Sequence, residues 1–262
     1  MPALDPERVR IDLDDGIADV RLVRAAKHNG LDWSMFESLN AAIDELREAE
    51  DLRAVVLSGE GPSFCAGLDF KSFMSGEGEV GDGFARRGGE AANFGQRVAY
   101  GWRELPVPVI AALHGACLGG GLQIALAADI RLAAADTRMS VMEIRYGLVP
   151  DMSLSQTLPG LVRDDVAREL TYTGRMVEAG EAAELGLVTR IVEGPHAEAL
   201  ELAAAIASAS PEAIRSAKRL LGEARRVAPA QGLALEAELQ QALIGSPAQL
   251  AAVAEALGSK TG

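Results

Sequence analysis

The sequence predicts an α/β fold followed by a helical C-terminal region, and three observations carry that reading. Short continuous apolar runs, Ala54–Leu57 and Val107–Leu113, have the length and character of strands buried on both faces. Helical stripes and small-residue turns alternate with them up to about residue 160. Beyond that point the chain reads almost wholly as amphipathic helices. A chain of 262 residues can bury one large core, which we expect over residues 1–200, with a helical appendage over 201–262.

In chain order, Val9, Ile11 and Leu13 alternate with polar residues, Asp14-Asp15-Gly16 turns, and Ala18, Val20 and Leu22 alternate again: a hairpin. Asp32 precedes a 3.6-residue stripe of Met35, Phe36, Leu39, Ile43 and Leu46, which predicts a capped helix. The strand Ala54–Leu57 follows. Ser72–Gly101 is rich in glycine and reads as a mobile loop, either a lid or a surface insertion, running into a helix over Ala91–Arg103. Val107–Leu113 is a strand, Leu122–Ala128 a helix and Ile130–Ala133 a strand. Helices over Asp164–Thr173 and Glu178–Leu185, the latter stopped by Gly186, precede a last strand at Leu187–Val192. Three amphipathic helices, His196–Ser208, Pro211–Arg225 and Pro229–Ile244, close the pattern, with Ser210-Pro211 and Ser246-Pro247 as start signals.

Composition excludes several functions. A net charge of −13 argues against a nucleic-acid or anionic-membrane surface. Two cysteines, Cys65 and Cys117, make neither a disulfide framework nor a metal cluster, and His28, His114 and His196 have no metal-ligand spacing. No signal pattern opens the chain and no apolar run reaches the ~18 residues of a membrane span, so the cytoplasm is the expected location.

The chemistry concentrates in His114–Ile124, His-Gly-Ala-Cys-Leu-Gly-Gly-Gly-Leu-Gln-Ile, between a strand and a helix. Three glycines there either let two elements pack tightly or let a ligand reach backbone N–H donors at a helix start. A dinucleotide fingerprint fails at Ile124, and no lysine follows to make a phosphate loop. A second small-residue turn, Gly61–Phe70, follows the Ala54–Leu57 strand. Two such turns could each aim one N–H at a single oxygen, and an oxyanion donor is typically worth ~3 kcal/mol of transition-state stabilisation. Cys65 and Cys117 read either as nucleophiles or as small buried apolar residues. Gly61-Pro62-Ser63-Phe64-Cys65 lacks the second glycine of a nucleophile elbow.

Three stretches carry a family resemblance: Ser58-Gly59-Glu60-Gly61 running on to Phe64-Cys65-Ala66-Gly67-Leu68-Asp69, Pro108 to Gly121, and Ala127-Ala128-Asp129-Ile130-Arg131. With Asn29-Gly30-Leu31 before them and Glu184-Leu185-Gly186-Leu187-Val188 after, the chain resembles the crotonase (enoyl-CoA hydratase/isomerase) superfamily over about residues 9–225. The resemblance implies a crotonase-like spiral of ββα units, a C-terminal helical trimerisation region, and a homotrimer or homohexamer. It implies an acyl-CoA substrate and no cofactor besides that thioester. The oxyanion donors would be the N–H groups of Leu68 and Gly120. Ala25, Lys27 and Leu31, with Ala66, Gly67, Asp69, Phe70 and Gly119, would hold the coenzyme and the thioester, Lys27 being either a phosphate contact or a solvated surface lysine.

Hydratases of the family set two glutamates around the double bond. Gln123 stands at the first position and Glu143 at the second. A glutamine has no proton to exchange near neutral pH, so the resemblance points to Glu143 as the acid–base group. Asp151, eight residues on as in the dienoyl-CoA isomerase branch, is either a second acid or the cap of a helix over Met152–Leu158. Isomerisation or atypical hydration of an enoyl-CoA is the expected reaction. A plain hydratase with Gln123 positioning water, a non-catalytic acyl-CoA-binding subunit and a thioester hydrolase are the alternatives.

Overall fold

A computed structural model describes residues 4–75 and 91–258. Strands β1 (Val9–Asp14) and β2 (Ile17–Leu22) pair antiparallel through Asp15 and Gly16, both at positive φ, the turn that an Asp-Gly pair favours. From β2 onward the large sheet is parallel: β3 (Ala54–Gly59), β4 (Val109–Leu113), β6 (Ile130–Ala133) and β9 (Arg190–Ile191), in the order β1-β2-β3-β4-β6-β9. A small second sheet, β5-β7-β8, comprises Ala116–Leu118, Arg138–Ser140 and Val177–Glu178. The chain therefore winds as a spiral, laying a strand in the large sheet, a short one in the small sheet, and then a helix. The small sheet has no counterpart in the apolar pattern because its strands are only two or three residues long.

Helix α1 (Trp33–Glu48) starts where Asp32 accepts the Met35 N–H at 2.9 Å. The expected excursion Ser72–Gly101 is bounded by α2 (Phe70–Met74) and α3 (Phe94–Glu104), and residues 76–90 lie outside the described residues. Helix α3 starts later than Ala91 because Asn93 and Gln96 cap each other, side chain to backbone, at 2.8 and 3.0 Å. Helix α4 (Gly120–Ala127) begins inside the glycine triplet and is buried throughout. Helices α5 (Leu154–Thr157), α6 (Asp164–Thr173) and α7 (Ala179–Leu185) follow, α7 ending at Gly186 with φ +92° as expected.

The core lies on both faces of the large sheet. One face meets α1, α3 and α4 through residues such as Ile43, Trp102 and Ile124, while the other meets α8 (Pro195–Ala207) through Ala199 and Ala203. A boundary at residue 200 would cut α8, so the core runs to the Ser208–Ser210 turn instead. Helix α9 (Pro211–Glu223) is tied to the core by Arg215, which donates to the Glu50 and Leu52 carbonyls, and by Lys218, which pairs with Asp129 at 2.9 Å. Beyond it, α10 (Pro229–Leu243) and α11 (Pro247–Gly258) leave Leu233, Ile244, Leu250 and Leu257 exposed. Among the described residues no helix is long and apolar enough to cross a membrane.

Candidate active site

The two glycine turns meet under the end of the small sheet. Cys65 N–H donates to the Ala116 carbonyl and Leu118 N–H to the Cys65 carbonyl, at 3.0 Å each, so the turns run side by side. Gly67 sits at φ +85°, and a Cβ there would lie 2.7 Å from the Leu118 carbonyl oxygen and 3.6 Å from the Gly120 nitrogen, an approach only glycine allows. Leu31 N–H donates to the Gly67 carbonyl, Asp69 N–H to the Leu31 carbonyl and Gly119 N–H to the Ser140 carbonyl, at 2.8 to 2.9 Å. Between these fixed bonds, the N–H groups of Leu68 and Gly120 donate to nothing among the described residues. Both residues line one cavity of about 580 Å³, together with Ala66, Gly67, Phe70 and Gly119.

Glu143 and Asp151 line the same cavity. Glu143 opens a single 3₁₀ turn, Glu143–Tyr146, that follows β7 and ends at Gly147. Its Oε1 accepts from Gln123 Nε2 at 2.7 Å, while its Oε2 is buried without a partner. Burial pushes the Glu143 carboxyl above the ordinary glutamate value; bonds from its own N–H and from Gln123 oppose that, and the charge of Asp151 adds to it. Burial of its cavity side likewise raises the Asp151 carboxyl, although the residue is also open to solvent. The Asp151 cap reading fails: α5 starts only at Leu154, after Ser153 at φ +75°, and no side chain caps it.

Gln123 is absent from the cavity wall. Fully buried on α4, it gives its amide N–H to Glu143 and takes the backbone N–H groups of Met152 and Leu154 on its oxygen, at 2.9 and 3.2 Å. It holds Glu143 and the segment after Asp151, and does not face the cavity where the plain-hydratase alternative would have it position a water.

Other expected contacts separate in the same way. Asp69 caps α2 through the Ser72 N–H and pairs with Arg24 at 2.9 Å; burial favours its neutral form, but Arg24 and that N–H outweigh burial and hold the carboxyl below the ordinary range. Arg24 also pairs with Asp32, which in turn pairs with Arg8, so Asp69 belongs to a structural charge network. Leu31 is fully buried beside Leu68 and outside the cavity wall. Ala25 and Lys27 lie in a 3₁₀ turn outside the cavity, with Lys27 exposed. Cys65 and Cys117 are fully buried, and burial pushes the Cys65 thiol up to about 12, so neither is a nucleophile.

Two structural roles were not readable from the motifs, one of them that of Asn29 within the matched Asn29-Gly30-Leu31. Asn29 is buried, and its amide donates to the carbonyls of Glu60, Ser63 and Phe64, which fixes the Gly61–Phe64 turn. The other is the cavity's apolar wall of Trp33, Phe36, Phe73 and Phe94. Three of these already stood in the helical stripe or the loop, where a single ring gives no sign of facing a cavity.

Fold and site together bring unpaired backbone donors and two partly desolvated carboxyls into one apolar cavity. Comparison gives the family. Residues 12–251 match the enoyl-CoA hydratase/isomerase family model. The chain is similar to human mitochondrial methylglutaconyl-CoA hydratase, 33% identical over 84% of this chain and 65% of that one. It is similar to the peroxisomal Δ(3,5)-Δ(2,4)-dienoyl-CoA isomerase of Arabidopsis thaliana, 30% identical over 91% and 88%. The crystal structure of an enoyl-CoA hydratase from Bacillus anthracis superposes with a TM-score of 0.87 at 31% identity, covering 97% and 96% of the two chains. The chain belongs to the enoyl-CoA hydratase/isomerase family, whose members act on acyl-CoA substrates.

Proposed function

We propose that this enzyme moves a double bond in an enoyl-CoA, with Glu143 as the proton carrier. The thioester carbonyl oxygen sits against the N–H groups of Leu68 and Gly120. Glu143 Oε2 removes a proton from the carbon next to that carbonyl, and the electron pair passes to the thioester oxygen as a dienolate. The two amides hold the developing charge without reorganising, which is the main source of rate in such sites. Glu143 then returns the proton to the far end of the conjugated system, so the bond shifts and no atom is gained or lost.

The observation that carries this reading is the asymmetry of Glu143. One oxygen is bound by Gln123 and the other is buried without a partner, on a residue that lines an apolar cavity. Both ends of the Gln123 amide are occupied, which speaks against its holding a water as in a plain hydratase. The raised Asp151 carboxyl on the same wall supports a second proton site, suited to a longer shift across a dienoyl group. Ala25 and Lys27 are then contacts to the coenzyme outside the cavity. The exposed leucines of α10 and α11 support a homotrimer or homohexamer, to be checked by sedimentation.

The test is solvent-deuterium exchange at the α-carbon, alongside separate assays of hydration and isomerisation with crotonyl-, 3-enoyl- and 2,5-dienoyl-CoA. Glu143→Gln keeps the shape and loses the base, so exchange should fall by about 10²–10⁴-fold with little change in ligand affinity. Equal slow exchange by both proteins with every thioester would instead favour an acyl-CoA-binding subunit.

A further inference from the structure

Aromatic residues are scarce in this chain, at 4% of its composition and eleven in all, yet six of them line the cavity described above. The hydrophobic core is filled mainly by aliphatic side chains, with Trp102 and Phe64 its large fully buried rings. Phe36 belongs to that core and Phe73 and Phe94 pack against it, yet all three also line the cavity, with Trp33, Phe70 and Tyr146.

Their mutual geometry is specific. Phe94 stacks on Trp33 at 5.1 Å and 27° and on Phe36 at 6.4 Å and 26°, so one ring is shared between two stacked pairs. Phe73 stands across them, at 58° to Trp33 and 65° to Phe36. Offset-stacked and edge-to-face arrangements are the two that aromatic pairs prefer, and this wall offers both before a ligand arrives. Tyr146 leans on Phe70 at 4.3 Å and thereby joins the turn that carries Glu143 to α2.

Charge narrows the choice further. Among the described residues that line the cavity, the charged side chains are Glu143 and Asp151, with no lysine or arginine to oppose them. Among these described residues, an acyl group ending in a carboxylate would meet two acids and no cation in an apolar space.

We propose that the acyl site is built for a neutral acyl group bearing an aromatic ring, an aryl-substituted enoyl thioester. This rests on the acyl-CoA reading above and narrows its substrate class. A straight alkyl chain of equal size would bury similar area, but it must give up rotamer freedom and gains no ring-to-ring contact. The ring contact alone is worth about two- to tenfold in affinity beyond area burial.

Binding of saturated thioesters tests this apart from the reaction. Calorimetry with the whole chain would compare phenylacetyl-CoA, octanoyl-CoA with the same number of acyl carbons, an eight-carbon acyl-CoA ending in a carboxylate, and free coenzyme A. We expect the phenyl thioester to bind about threefold or more tighter than octanoyl-CoA, and the carboxylated one about tenfold or more weaker than octanoyl-CoA. Phe94→Leu and Phe73→Leu, checked for native melting, should each erode the phenyl advantage while keeping octanoyl-CoA affinity within about threefold. Equal binding of the phenyl and octanoyl thioesters overturns the proposal, as does a carboxylated thioester that binds as tightly as octanoyl-CoA. A phenyl advantage untouched in both variants overturns the role of the wall. If a variant fails to fold, the wild-type comparison still decides. If no thioester binds better than free coenzyme A, it is the acyl-CoA reading itself that fails.

Discussion

In the proposed mechanism the cavity has two halves, built by different means. Its donor half is made of backbone: Leu68 and Gly120 offer N–H groups held between ladder hydrogen bonds, with no side chain in the interaction. Its proton half, as proposed, is made of side chains, Glu143 and Asp151 on the wall with Gln123 behind Glu143, and burial and neighbouring charge set its behaviour. A backbone donor does not titrate and can be lost only by moving the chain. A carboxylate can be retuned by one neighbour. The first half should therefore respond to sterics and the second to pH.

The largest effect expected from breaking that contrast is at Gly67. Gly67→Ala places a Cβ 2.7 Å from the Leu118 carbonyl at a positive φ, so one turn must shift against the other. Loss of a well-placed donor typically costs about 10²–10³-fold in kcat. We expect a fall of that size in turnover with the acid limb of the pH–rate profile unmoved. A displaced limb would mean that the halves are coupled.

Next in size is Gln123→Glu, which sets a second carboxyl against Glu143. Two like charges so close would share a proton, so the acid limb should move to higher pH. Hydration of a 2-enoyl-CoA should rise relative to isomerisation, measured on the same preparation. An unchanged product ratio would show that reaction choice is set elsewhere in the cavity.

A smaller effect is expected from Asp151→Asn. Its negative charge contributes to raising the Glu143 carboxyl, so removing it should carry the acid limb to lower pH. A shift in the opposite direction would rule out that electrostatic link.

The smallest effect concerns stability. A carboxyl raised by folding binds its proton more tightly in the native state than in the unfolded chain. Glu143 thus opposes folding as pH rises from the ordinary value of 4.5 through its raised value. Glu143→Gln should melt at a higher temperature than wild type at pH 7, with the difference shrinking in acid. Equal melting curves across pH would mean that burial of Glu143 costs the fold nothing.

The donor half was legible in the sequence because glycine spacing reports backbone constraint directly. Gly67 and the triplet at Gly119–Gly121 lie where two turns touch, as their positions after buried strands suggested. The α/β order was legible as well, since β3, β4 and α1 carry long apolar signatures. The proton half was only partly so. Glu143 and Asp151 were singled out by the family resemblance, but the occupied amide of Gln123 was not, because Met152 and Leu154 reach it through backbone N–H groups that carry no residue signature. Asp69 misled for a related reason: its carboxylate is taken by Arg24, a partner 45 positions away along the chain. The aromatic wall was hidden because α1 and α3, which supply Trp33, Phe36 and Phe94, meet only after folding.

The two cysteines have a practical consequence at the bench. Both thiols are fully buried behind the donor half, with Cys65 pushed up to about 12 and Cys117 raised well above its ordinary value. The folded protein should therefore be silent toward colorimetric thiol reagents. Any thiol that appears when a thioester is added would report coenzyme A set free, which gives a background-free measure of hydrolysis as a side reaction. On unfolding, the same reagent should count two thiols per chain. One dye could then follow both the leak in the chemistry and the loss of the native state.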